Sequence, residues 1–128
     1  MQDSNKTTLT VGIVALFLLV GILIYASNIK SAPSKYDGFA QCLEDKGAVF
    51  YGAFWCPHCQ DQKALFGSAK KYLPYVECST ADSRGQLPVC SDKEIDTYPT
   101  WVFADMSTST GKISLEDLSQ KTGCELPL

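Results

Sequence analysis

The sequence predicts one α/β domain, a sandwich built around a single sheet, preceded by one transmembrane helix. Three observations predict it. An uncharged apolar run lies near the N-terminus, and apolar runs of strand length alternate with one-sided helical stripes further on. A close cysteine pair sits where one such run meets a helix.

From Leu9 to Ala26 the chain reads LTVGIVALFLLVGILIYA, uncharged, with Thr10 and Tyr25 as its polar side chains. At about 1.5 Å per residue this helix spans about 27 Å, close to the hydrocarbon thickness of a bilayer. Tyr25 suits the interface, where an amphipathic ring is favoured. The run is longer than the apolar core of a cleaved signal, and SNIKSAPSK after it offers no clean small-x-small cleavage site. An uncleaved anchor at 9–26 is expected, with a tail at 1–8 and a polar linker at 27–35. Flanking charge does not orient it, because Lys6 and the amino terminus stand against Lys30 and Lys35. The six cysteines favour an extracytoplasmic C-terminal domain, residues 36–128, on a single-pass cell-membrane protein. The linker reaches at most about 30 Å, which keeps that domain near the bilayer.

Asp37 to Lys46 carries Phe39, Ala40 and Leu43 on one helical face and ends at Gly47, a natural terminator. Ala48 to Trp55 is a continuous apolar and aromatic run, suited to a strand buried on both faces. Pro57 to Leu73 has helical spacing, with Pro57 permitted in its first turn. Tyr75 to Cys78 is a second short strand, Asp82 to Pro88 a loop and Val89 to Ile95 a short helix. Thr100 to Ala104 is a third strand, and Lys112-Ile113 a brief fourth after a turn at Gly111. Leu115 to Thr122 closes as a helix, with Ser114 as its cap and Asp117 three residues on.

The net charge of −3 and a pI near 5.0 exclude a basic nucleic-acid surface. Six cysteines, at 42, 56, 59, 78, 90 and 124, point to an oxidising compartment, a metal site or redox chemistry. A zinc ribbon wants a second close pair, which Cys78 and Cys90 do not supply, so no metal is expected. Cys56-Pro57-His58-Cys59 lies at a strand-to-helix junction, where unpaired N–H groups and the helix dipole favour a thiolate at Cys56. His58, the one histidine, can favour it further by a hydrogen bond or a positive charge. Both effects stabilise the reduced pair and make its disulfide comparatively oxidising. Cys59, one turn into the helix on its apolar side, is expected to be buried and to resolve the mixed disulfide formed at Cys56.

The run Tyr51 to Cys59 (YGAFWCPHC), then Gln62 to Gly67 (QKALFG), Tyr75 to Cys78 (YVEC), Cys90 and Tyr98 to Trp101 (YPTW) resembles a known family. It is similar to the thioredoxin-like domain associated with vitamin K epoxide reductase homologues, over roughly residues 36 to 124; the CPHC tetrapeptide alone is shared with DsbA-like oxidases. The resemblance implies a thioredoxin fold, a central mixed sheet flanked by helices. It implies that Pro99 is a cis-proline facing the pair, although by sequence alone Pro99 equally starts a strand. Pro57, His58 and Pro99 then join Cys56 and Cys59 in the redox site, and Tyr98, Trp55 and Pro99 hold the substrate peptide. Thioredoxin proper has a buried Asp six residues before its first active-site cysteine; here that position is Phe50. The resemblance also implies a second disulfide between Cys78 and Cys90, structural or a relay for electrons. Cys42 and Cys124 remain, and pairing them would pin the last helix to the first. Two free thiols or an intermolecular bond are the alternatives.

The expected function is oxidation of cysteines in extracytoplasmic clients. The Cys56–Cys59 disulfide needs no other cofactor, and its electrons pass to a membrane quinone reductase of vitamin K epoxide reductase or DsbB type. Two alternatives run beside it: a reductase or isomerase fed by a membrane electron transporter, and a non-catalytic adaptor that binds cysteine-containing clients.

Overall fold

The computed structural model describes residues 3–27 and 32–128; residues 1–2 of the expected tail and 28–31 of the expected linker lie outside the described residues. The chain divides between Ala32 and Pro33 into two compact units. The first is one helix, α1 (Asp3–Ser27), which begins inside the stretch expected as a tail. Its Thr8–Ser27 segment has a mean hydropathy of 2.7 and is long and apolar enough to cross a membrane. Its large apolar side chains from Leu9 to Tyr25 are exposed, and a helix apolar all round needs cover from lipid or other protein.

The second unit runs α2 (Asp37–Asp45), β1 (Val49–Gly52), α3 (Pro57–Ala64), β2 (Tyr75–Glu77), α4 (Pro88–Ser91), β3 (Thr100–Val102), β4 (Thr108–Thr110) and α5 (Leu115–Thr122). The strands form one mixed sheet in the order β2-β1-β3-β4, parallel between β1 and β2 and antiparallel elsewhere. Strand period places alternate residues of β1 on opposite faces. Phe50 turns to the main core with Phe39, Leu43, Phe66, Trp101 and Leu118, and stacks on Trp101 at 5.0 Å. Tyr51 turns to a smaller cluster with Cys78, Cys90 and Ile95. This is why the run is apolar throughout: both faces are covered.

Two disulfides staple this unit. Cys42–Cys124 joins α2 to the residue after the α5 terminator across 82 residues, and Cys78–Cys90 joins the end of β2 to α4 across 12. On chain-entropy grounds the long loop contributes ~4.5 kcal/mol and the short one ~3 kcal/mol.

Several expected elements differ: the first strand stops at Gly52 rather than Trp55 and the third at Val102 rather than Ala104. The long helix from Pro57 to Leu73 stops at Ala64 and resumes as a 3-10 helix over Gly67–Tyr72, because Gly67 takes a left-handed φ of 55°. The last strand is Thr108–Thr110, not Lys112-Ile113. Thr100↔Thr110 and Val102↔Thr108 pair in a hairpin closed by Met106 at φ 64°. The short helix is one turn, Pro88–Ser91, rather than Val89 to Ile95. The closing helix holds its predicted bounds: the Asp117 N–H donates to Ser114 Oγ at 3.0 Å, and Gly123 ends it at φ 73°.

Candidate active site

The site is built where β1 gives way to α3. The strand ends at Gly52, Ala53–Trp55 turn out of the sheet, and Cys56 takes the N-cap position with extended backbone, φ −78° and ψ 118°. Pro57 follows in the first turn, where its missing N–H costs no hydrogen bond. Cys56 therefore faces the open end of the helix, and Cys59 lies three residues inside it.

Both sulfurs are free thiols, with different access. Cys56 is 6% exposed and Cys59 fully buried at 0%. The Cys56 thiol donates to the Tyr98 carbonyl at 3.8 Å, and the Tyr98–Pro99 peptide bond is cis, so β1–α3 and the approach to β3 meet at this sulfur. Pro99 is buried and Tyr98 half-buried. Phe54 and Trp55 are exposed beside the pair. Trp55 Nε1 donates to Ser79 Oγ at 2.8 Å, and the Trp55 and Tyr98 rings meet edge-on at 6.2 Å. Tyr98 is fixed further by Gln86, whose Nε2 donates to its hydroxyl at 2.6 Å.

His58 is exposed in the first turn of α3 and, among the described residues, makes no hydrogen bond to Cys56. Burial pushes the Cys59 thiol up to about 12, with its hydrogen bond to Cys56 the next cause. Cys59 is thus held protonated until its environment or its partner changes. The other four cysteines are bonded in pairs as described. Cys78 and Cys90 are both 0% exposed, so no outside thiolate reaches them without local opening.

Gly52, Gln62, Ser79 and Gln86 also shape the site, and sequence reasoning gave them no role. A Cβ on Gly52 would stand 2.9 Å from Cys59 Sγ, so only glycine leaves the sulfur its room. Gln62 is wholly buried on α3, and its amide grips the Ile113 backbone twice: Nε2 donates to the carbonyl at 3.1 Å, and Oε1 accepts from the N–H at 2.7 Å. A glycine closing an apolar strand and a glutamine on an apolar helical face are the signals that point to them.

The sequence profile of the thioredoxin family matches residues 29–122. The chain is 41% identical over 107 residues to the thiol-disulfide oxidoreductase LTO1 of Arabidopsis thaliana, a match covering 80% of this chain and 28% of that protein. It is 28% identical over 96 residues to protein disulfide isomerase-like 5-1 of Oryza sativa subsp. japonica, covering 70% of this chain and 65% of that protein. The chain thus spans less than two thirds of the length of either relative.

Proposed function

The chain belongs to the thioredoxin family, and from that premise we propose that it is a membrane-anchored thiol–disulfide oxidoreductase that oxidises cysteines of extracytoplasmic proteins. The observation that carries this reading is the unequal access of the pair. Both sulfurs are buried, but Cys56, capping α3 with its thiol on the Tyr98 carbonyl, keeps 6% exposure next to the exposed Phe54 and Trp55, and Cys59 keeps none. The likeness to a named thiol-disulfide oxidoreductase over 80% of the chain supports the same chemistry.

The reaction starts from the Cys56–Cys59 disulfide. A client thiolate attacks Cys56 Sγ, the bond to Cys59 breaks, and Cys59 leaves with the electron pair. The client's second thiolate then attacks its own sulfur in the mixed disulfide and expels Cys56 as thiolate. The client gains a disulfide and two electrons remain on the pair, whose thiolates take from water the two protons that the client thiols released on ionising. A membrane quinone-linked partner of vitamin K epoxide reductase or DsbB type accepts those electrons, restoring the disulfide. Trp55, Tyr98 and Pro99 border Cys56 and hold the client peptide; Pro57 and His58 complete the motif.

Two further disulfides support an extracytoplasmic setting, since such bonds persist where thiols are not kept reduced. The apolar Thr8–Ser27 segment supports anchoring. Phe50 at the position of thioredoxin's buried acid favours the oxidising direction over a dedicated reductase. The isomerase-like relative favours a second reading, disulfide isomerisation at the same pair. Equilibrating the full-length chain in detergent micelles against glutathione tests the direction. A potential of about −120 to −180 mV for Cys56–Cys59 supports disulfide donation or isomerisation, and one near about −270 mV would replace both with a reductase.

A further inference from the structure

A second group of side chains gathers on the Cys59 side of the pair, outside the exchange described above. Lys63 stands four residues after Cys59 on α3, a spacing that puts both on one face of the helix. Its Nζ lies 3.2 Å from the centre of the Tyr75 ring. The Tyr75 hydroxyl donates to Glu77 Oε2 at 2.7 Å. Glu77 Oε1 accepts from the backbone N–H groups of Phe54 at 3.2 Å and Ser79 at 2.9 Å.

The sheet register explains the gathering. Phe50↔Tyr75 and Gly52↔Glu77 are parallel partners, so Tyr75 and Glu77 share the face on which Phe50 and Gly52 meet α3. A Cβ on Gly52 would lie 2.9 Å from Cys59 Sγ and 3.0 Å from Tyr75 Cε2, so sulfur and ring close over the bare glycine. The charges here act on one another. Burial lowers Lys63, Glu77 and Cys59 oppose that, and Lys70 adds to it. Against the burial that raises Cys59 stand first its hydrogen bond with the Ala53 backbone and then the charge of Lys63, the one side chain that lowers it. Burial, then the hydrogen bond and charge of Glu77, hold the Tyr75 phenol protonated, with Cys59 and Cys56 adding to the effect; Tyr75 therefore remains a donor to Glu77.

We propose that Lys63 is the electrostatic partner of Cys59: seated on the Tyr75 ring, which Glu77 anchors, its ammonium stabilises the Cys59 thiolate during exchange. The inference rests on the disulfide-exchange reading. When a client thiolate attacks Cys56 Sγ, the electron pair of the broken bond departs on Cys59 Sγ, one turn from Lys63 on the same helix, and that sulfur then takes a proton from water. In the reverse direction Cys59 gives its proton to water, and its thiolate attacks Cys56 Sγ and expels the outer sulfur. A better stabilised leaving thiolate leaves faster. Lys63 is a positioning residue in this scheme, carried by α3 onto the Tyr75 ring over the sheet face that holds Phe50 and Glu77.

The test is stopped-flow reaction of the reduced full-length chain, in detergent micelles, with an aromatic disulfide whose released thiolate absorbs light. Cys56 releases the first thiolate and Cys59 the second. Lys63→Met keeps the aliphatic stem over the Tyr75 ring and removes the charge. It is expected to slow the second phase about tenfold and raise its pH profile by about one unit, leaving the first phase unchanged. Lys63→Arg is expected to restore most of the rate. A second phase at the unaltered rate in Lys63→Met, or an Arg variant as slow as Met, overturns the proposal. Release of a single thiolate by the unaltered chain would remove the exchange reading, and this inference with it.

Discussion

Cys56 and Cys59 are three residues apart on one helix, yet their surroundings have little in common. Beside Cys56 are the Tyr98 carbonyl that its thiol bonds, the Trp55 and Tyr98 rings set edge-on to each other, and the first turn of α3, with 6% of the residue exposed. Around Cys59 they are a bare glycine, the nearby edge of Tyr75 and, one turn on along the helix, a half-buried lysine on the Tyr75 ring. In the proposed exchange the first environment is the one that meets a foreign chain. The second holds Cys59 at 0% exposure, and its burial pushes the thiol toward the protonated form. Sequence spacing makes the pair, and the difference in burial underlies the roles proposed for its members.

The largest expected effect comes from pH. With Cys59 pushed up to about 12, its thiolate is the minor form at neutral pH, and its fraction rises tenfold for each unit until that value is approached. The resolving phase should therefore accelerate about tenfold per unit between about pH 6 and 9. A plateau in that range would show that Cys59 is not held neutral.

Filling the space above Gly52 sharpens the contrast next. Gly52→Val forces side-chain atoms into Cys59 Sγ and Tyr75 Cε2 and should destabilise the domain by about 3 kcal/mol, with Gly52→Ala nearer about 1 kcal/mol. Denaturant titration of both variants measures it; equal stability of all three chains would show that the sulfur and ring have room to retreat. Gln62→Met should cost about 2 kcal/mol, because it strands the Ile113 N–H and carbonyl that the amide now satisfies. The smallest effect belongs on the Cys56 side. Trp55→Phe loses the bond to Ser79 at a half-exposed ring, so stability should fall by no more than about 1 kcal/mol. Client turnover should respond more than melting does, and the reverse ranking would make Trp55 a structural residue.

Much of the site was legible because its chemistry is local. A close cysteine pair between an apolar strand and a helix places one sulfur at the helix mouth and the other one turn in, and no tertiary contact is needed to see it. The closing helix was equally local, since Ser114 and Asp117 write its start and Gly123 its end. What escaped depends on contacts across the chain. The hairpin strand Thr108–Thr110 has no apolar pattern, and its pairing with β3 rests on β-branched threonines against a partner six or more residues away. The break at Gly67 was hidden by helical spacing that continues on both sides of it. The grouping of Lys63, Tyr75 and Glu77 requires a helical spacing and a parallel register to be superimposed, and neither is meaningful without the other. Gly52 needed the position of Cys59 before its missing Cβ acquired a purpose.

The division of labour between the two sulfurs is tested most directly by trapping. Cys56→Ser and Cys59→Ser full-length chains, each with the remaining thiol activated as a mixed disulfide, are offered a reduced, unfolded secreted protein, and adducts are read by intact mass. The Cys59→Ser chain should form a client adduct at Cys56 within seconds, and the Cys56→Ser chain should form almost none at the buried Cys59. Comparable adducts on both, or adducts on Cys59 alone, would contradict the assignment of Cys56 as the sulfur that meets the client.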